Sequence, residues 1–224
     1  MYFVHLIVFV HLIFLPVPFQ EQVEATIAQE VVAVDEKGAD LEEFAVNKII
    51  PDEIRDVALK ALSHFPELKE VHIEFKYIHN IKGSVMQAQP RLGSLLLKSK
   101  KNRNYRIKIS RNLQLIDGQI PIEEVPESAL LGWLGHELGH VMDYLNRGSI
   151  GMMAFGTKYY MSHKHLSEAE FAADRYAVNA GLGNEIVAVK NYILNHKRLP
   201  QAYKQKIRSL YPTPGEILSL VEEE

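Results

Sequence analysis

Residues 130–145 read LLGWLGHELGHVMDYL, and within them His136-Glu137-Leu138-Gly139-His140 spell the pattern H-E-x-x-H. On an α-helix, residues four apart share a face, so the imidazoles of His136 and His140 can meet one cation. Glu137 stands roughly 60–100° around the helix from both histidines. It can reach a water on that cation without itself being a ligand. Two neutral nitrogen donors beside a carboxylate base are what zinc-dependent hydrolysis requires.

The surroundings favour a helix. Leu131, Leu134, Leu138, Val141 and Leu145 recur at helical spacing. Val125-Pro126-Glu127-Ser128 supplies a start and Asn146-Arg147-Gly148 a stop. Gly132, Gly135 and Gly139 each cost about 1 kcal/mol relative to alanine. Gly139 is read as room for a closely packed segment between the histidines. The competing account is a chance match in an ordinary core helix. A third ligand elsewhere in the chain is what discriminates.

The chain has 224 residues, enough for one sizeable core. Its formal net charge of -3 points neither to a nucleic-acid binder nor to an acidic tail. There is no cysteine, so any metal must be held by histidine and carboxylate. Residues 1–19, MYFVHLIVFVHLIFLPVPF, are almost wholly apolar apart from His5 and His11. They read as a secretory leader or a membrane anchor, making the protein exported or membrane-anchored; the basic start of a leader is missing, and a strand pair of the fold is the alternative. The expected organisation is a leader or anchor over 1–28 and a single domain over 29–224.

Along that domain, Glu30–Val34 is expected as a strand and residues 52–65 as a helix stopped by Pro66. Val71–Ile78 alternates as a strand does. Ser84–Gln89 and Leu95–Leu97 are expected as further short strands, and Leu113–Ile122 as a hairpin around Asp117-Gly118. The basic run Lys98, Lys100, Lys101, Arg103, Arg106, Lys108 and Arg111 could face a nucleic acid. Tyr105, Ile107 and Ile109 alternate through it, so the stronger reading is a strand with one wet face, its long basic side chains guarding a sheet edge. Residues 148–165 form a long connection that could act as a lid. Helices are expected over 167–180, 184–196 and 201–210, with a last one opening near Thr213.

Glu170 and Asp174, four apart on the helix expected over 167–180, share a face. Glu170 is the expected third ligand, because two histidines, one glutamate and a water form a catalytic zinc set. Asp174 is expected to accept a hydrogen bond from the outer nitrogen of His136 or His140 and so fix its tautomer. The competing account makes Ser167 and Glu170 a capping box. Asp143, His163 and His165 are the other candidate ligands. Tyr159, Tyr160, His163, His165 and His196 are candidate donors to the oxyanion that forms during acyl transfer.

HELGH at 136–140 followed by EFAADRYAV at 170–178 resembles the gluzincin group of zinc metallopeptidases, M48-like, in which an E-x-x-A-D helix follows the H-E-x-x-H helix. More distantly, HELGH with Glu168-Ala169-Glu170-Phe171-Ala172-Ala173 is similar to the IrrE/ImmA-like metallopeptidases. The resemblance covers roughly 50 of the 224 residues. It implies an α+β zincin-like domain with a small mixed or antiparallel sheet. It implies one zinc ion per chain on His136, His140 and Glu170, with Glu137 as general base and Asp174 behind the ligands. It further implies cleavage of a polypeptide pairing with an edge strand, expected within 103–122. The alternative is a zinc-binding regulatory or interaction domain without hydrolytic activity.

Overall fold

A computed structural model describes residues 41–99, 102–148, 151–152 and 162–222. The chain divides between Glu42 and Glu43, and the elements below belong to the second unit, Glu43–Glu224. The expected leader or anchor, the strand at Glu30–Val34, Lys100, Lys101, Tyr159 and Tyr160 lie outside the described residues. Among those described, no helix is long and apolar enough to cross a membrane.

The unit is α+β with a small mixed sheet. Its four strands are β1 (Lys48–Ile49), β2 (His72–Ile78), β3 (Met86–Pro90) and β4 (Asn104–Ser110), in the order β1-β2-β4-β3. β1 and β4 run parallel to β2, and β3 runs antiparallel to β4. Alternation decides which face is buried: Ile73, Phe75, Tyr105, Ile107 and Ile109 fill the core. The wet face carries the charges, as where Arg106 bonds Glu74 at 2.7 Å. β4 is therefore interior, and its basic residues do not guard an edge. β5 (Asn112–Leu115) and β6 (Gly118–Pro121) make the expected hairpin as a separate two-stranded sheet.

The helices are α1 (Arg55–Ser63), α2 (Leu92–Leu97), α3 (Glu127–Asn146), α4 (His163–Ala177), α5 (Gly183–Asn195), α6 (Gln201–Leu210) and α7 (Pro214–Glu222). The expected strand at Leu95–Leu97 is instead part of α2. Leucine favours helix over strand, and only Leu95 of its four leucines is buried, so no alternation exists to pin a strand. The helix expected over 167–180 starts earlier, with Ser162 capping it by accepting from the backbone N–H of His165 at 3.5 Å. It continues through a π turn, Val178–Leu182, into α5; Gly181, at φ 81, supplies the reversal that other residues rarely adopt.

α3 is the axis of the unit. Every residue from Ala129 to Val141 is buried, and α1, α4, α5 and β3 all pack on it. Its C-terminal carbonyls are held by the buried Arg103 just before β4, whose Nη1 donates to Arg147 O at 2.7 Å. Its glycines set the approach of the neighbours. A Cβ at Gly132 would lie 2.1 Å from the carbonyl oxygen of Glu185 in α5, and one at Gly139 2.2 Å from that of Ala173 in α4. The space inferred at Gly139 is taken by the backbone of the very helix that carries Glu170.

Gly139→Ala is expected to destabilise the protein although it raises helix propensity by about 1 kcal/mol. Parting two packed backbones costs about 1–3 kcal/mol or more, and each net kcal/mol lowers Tm by about 2–4 °C in a domain of this size. Thermal denaturation by circular dichroism checks the sign.

Candidate metal centre

α3 and α4 bring His136, His140 and Glu170 together, all buried, and their ligand atoms lie within 4.8 Å of one another. The Nε2 atoms of His136 and His140 lie 3.0 and 3.4 Å from the same carboxylate oxygen, Glu170 Oε2. Donors bound tetrahedrally at about 2.05 Å stand roughly 3.3 Å apart. The three side chains could thus hold a metal ion almost where they stand. Glu170 is 3% exposed, and its Oε2 faces the two histidines. Ser167 lies inside α4, where its hydroxyl donates to Leu210 O at 3.0 Å, so the capping-box account of this pair is set aside.

Asp174 sits one turn beyond Glu170, behind the histidines. Its Oδ1 accepts from His136 Nδ1 at 2.8 Å, fixing Nε2 toward Glu170. Its Oδ2 accepts from Lys190 of α5 at 2.7 Å. Both oxygens are thus engaged away from the ligand cluster. Lys190 also stands over the ring of Tyr211 at 5.2 Å. The signal of Lys190 in the sequence is that it is the one cation in the helical stripe Ile186, Val189, Lys190, Ile193.

Burial alone would drive His136 neutral, but hydrogen bonds and charge from Asp174 and Glu170 outweigh it and hold its pKa up at about 10. Burial pushes both carboxylates up, yet they are held below their usual range, Glu170 by His140 and His136 and Asp174 by His136 and Lys190. Glu137 is raised, chiefly by burial, with the neighbouring histidines opposing. Its Oε2 accepts from the backbone N–H of Ala88 in β3 at 2.5 Å. The ring of His140 stacks against Tyr144 at 5.9 Å, and its Nδ1 is buried with no hydrogen-bond partner among the described residues.

The site lies in a cavity of about 1670 Å³ between β3, α2, α5 and α6. The other expected residues are placed elsewhere. Asp143 is held by Arg147 at 2.9 and 3.0 Å and does not join the cluster. His163 is exposed at the start of α4, and His165 Nδ1 bonds Glu168 at 2.9 Å on its outer face. His196 follows α5 beside Tyr192. None of these three histidines lines the cavity; His163 and His165 belong to the first turn of α4 and His196 follows the last residue of α5. Tyr203 and Tyr211 do line it. The Tyr203 hydroxyl is pushed up by burial and by the charge of Glu137, with the Trp133 side chain hydrogen-bonded to it. The ring of Tyr211 lies 5.7 Å from that of His136. Both belong to a C-terminal segment that carries no metal-ligand spacing, so only the fold connects them to α3.

His136 has a carboxylate on each ring nitrogen and is therefore an imidazolium in the metal-free protein. A metal must displace that proton, so at pH 7 its binding is expected to release about one proton from this imidazole, and affinity to rise about tenfold per pH unit through the neutral range. Calorimetry in buffers of different ionisation enthalpy measures the proton count.

No family model matches the sequence, no curated protein matches it, and no solved structure matches the fold.

Proposed function

We propose that the protein is a zinc-dependent metalloendopeptidase with a zincin-like, gluzincin-type domain. The observation that carries this reading is the convergence of His136, His140 and Glu170 from two helices beside a buried, non-ligating Glu137 in an open cavity. A purely structural zinc site has no use for such a carboxylate and prefers four closed protein ligands. Nitrogen and carboxylate donors at near-tetrahedral spacing, with no thiolate, suit zinc. When bound there, zinc would polarise the substrate carbonyl and acidify water.

The chain's own residues divide the remaining work. Glu137, with its affinity for protons raised by burial, takes the proton of the attacking water and returns it to the leaving amine. The expected edge strand within 103–122 is replaced by β3, since β4 is paired on both sides and β5–β6 stand apart. The N–H of Ala88 meets Glu137, and its C=O accepts from the Tyr144 hydroxyl at 3.4 Å, so both turn out from the sheet toward α3. An extended polypeptide lying in the cavity beside β3, without pairing to the engaged Ala88, would bring a peptide bond beside Glu137. Tyr203 keeps its proton and lies near Glu137, so it is the donor to the developing oxyanion, in place of the histidines considered from sequence.

Purified protein loaded with zinc is expected to cleave a denatured-protein or peptide library, and chelation to abolish this. Glu137→Gln should retain zinc at unchanged stoichiometry while losing cleavage by at least about 10³-fold. Zinc binding without Glu137-dependent cleavage would point to the regulatory alternative. Tyr203→Phe should lower kcat by about 10²–10³-fold with KM little changed; a loss confined to KM would remove Tyr203 from the oxyanion role. Steady-state kinetics on one cleaved peptide separates these outcomes.

A further inference from the structure

α2 is built inside out. At 100° per residue, Leu92, Gly93, Leu96 and Leu97 cover an arc of about 140°, and Ser94 and Leu95 face the opposite way. A surface helix normally turns polar residues outward. Here the outward arc is apolar throughout, with Leu92, Leu96 and Leu97 exposed by 73%, 64% and 87%. The helix is not a loose tip. Ser94 Oγ donates to Arg91 O at 2.8 Å and accepts from Asn104 N at 2.9 Å, and Arg91 N donates to Asn104 O at 2.8 Å. The leucines are therefore presented on a support fixed to the start of β4. Leu92 and Leu97 also line the cavity.

The charge around them is one-sided. Between Glu74 and Asp117 the sequence holds ten lysines and arginines and no acid, although the whole chain carries -3. Arg106 and Arg103 are committed to Glu74 and to the end of α3. Arg91 and Lys98 flank α2 directly; Arg91, with its side chain 45% exposed, lies 3.6 Å from Glu74, which it shares with Arg106, and among the described residues the Lys98 side chain donates only to the neutral Asn104 side chain at 3.4 Å. Exposed leucines framed by basic residues match a surface with an apolar interior and anionic headgroups. A nucleic acid offers the charge without an apolar layer for the leucines. A neutral apolar partner would leave the basic frame unanswered.

We propose that α2, with its basic flanks, docks on an anionic lipid surface and holds the cavity mouth against the bilayer. This does not depend on the metallopeptidase reading, because its test reads lipid contact rather than cleavage.

The chain has no cysteine, so Leu96→Cys in the full chain gives a single attachment point for an environment-sensitive fluorophore. Mixed with vesicles of phosphatidylcholine and phosphatidylglycerol, the label should shift to the blue and be quenched by lipid-borne quenchers. It should do neither with phosphatidylcholine alone, and added salt should reverse the shift. The same label at Leu218→Cys, an exposed leucine of α7 outside the basic stretch, should stay aqueous on both. Adding Arg91→Glu and Lys98→Glu should raise the anionic lipid needed for half the shift by at least about tenfold. Leu92→Ser with Leu97→Ser gives a second route to the same loss should the charge reversals disturb folding. A label at 96 that stays aqueous on both vesicle types overturns the proposal, as does an equal response to neutral vesicles. A shift without lipid that grows with protein concentration also overturns it and makes the occupant a second copy of the chain.

Discussion

The site depends on how closely two helix backbones can approach. Glycines at 132, 135 and 139 recur at intervals of three and four along α3, on the side that also bears His136 and His140. Gly139 admits the Ala173 carbonyl of α4, Gly135 lies under Leu182, and Gly132 admits the Glu185 carbonyl of α5. One bare strip therefore seats both helices that complete the centre: α4 with Glu170 and Asp174, and α5 with Lys190. Side chains along that strip would hold these helices off by more than the tolerance of a bond to a metal. The glycines cost helix propensity, and close packing returns it, since a buried backbone contact replaces solvent exposure of the helix.

Close packing also forces the electrostatics to balance. Two carboxylates, an imidazole and an ammonium are all nearly sealed from water at the α3–α4–α5 junction. Each would be costly alone, and they persist because each has a partner: His136 lies between Glu170 and Asp174, and Asp174 lies between His136 and Lys190. The arrangement is polarised. At one end Lys190 and Asp174 pair with each other at 2.7 Å. At the other, Glu170 faces two imidazole Nε2 atoms, and this is the part an ion can enter. Glu137 stands apart from this chain of charges, tied to the Ala88 N–H of β3, and this separates its role from that of the ligands.

The sheet contributes position more than chemistry. Arg103, immediately before β4, ties the sheet to the C-terminal carbonyls of α3, while β3 places Ala88 against Glu137 at the other side of the contact. From α6, Lys206 donates to Gly83 O at 2.6 Å, joining the far wall of the cavity to the turn before β3. Helix and strand edge are thus fixed relative to each other from both ends, which the proposed hydrolysis would require of a reacting group and its substrate.

H-E-x-x-H spacing, the stripe around it, and Glu170 and Asp174 four apart were legible because a helix converts spacing directly into shared faces. Strands with clean alternation, such as β2 and β4, and the Asp117-Gly118 hairpin were legible for the same local reason. What local periodicity could not decide was which distant element meets which. Lys190, Tyr203 and Tyr211 reach the site only through the path of α5 and α6 around α3. Membership of β3 rather than β4 at the sheet edge follows from strand order, which no single strand encodes. α2 was misread because a run of leucines carries no period, so its state is set by the anchoring of Ser94 to Asn104. The sequence alone determined the ligand chemistry and the helix that displays it. The tertiary structure decided the neighbours of that helix, because long-range packing is settled by shape and burial over the whole core.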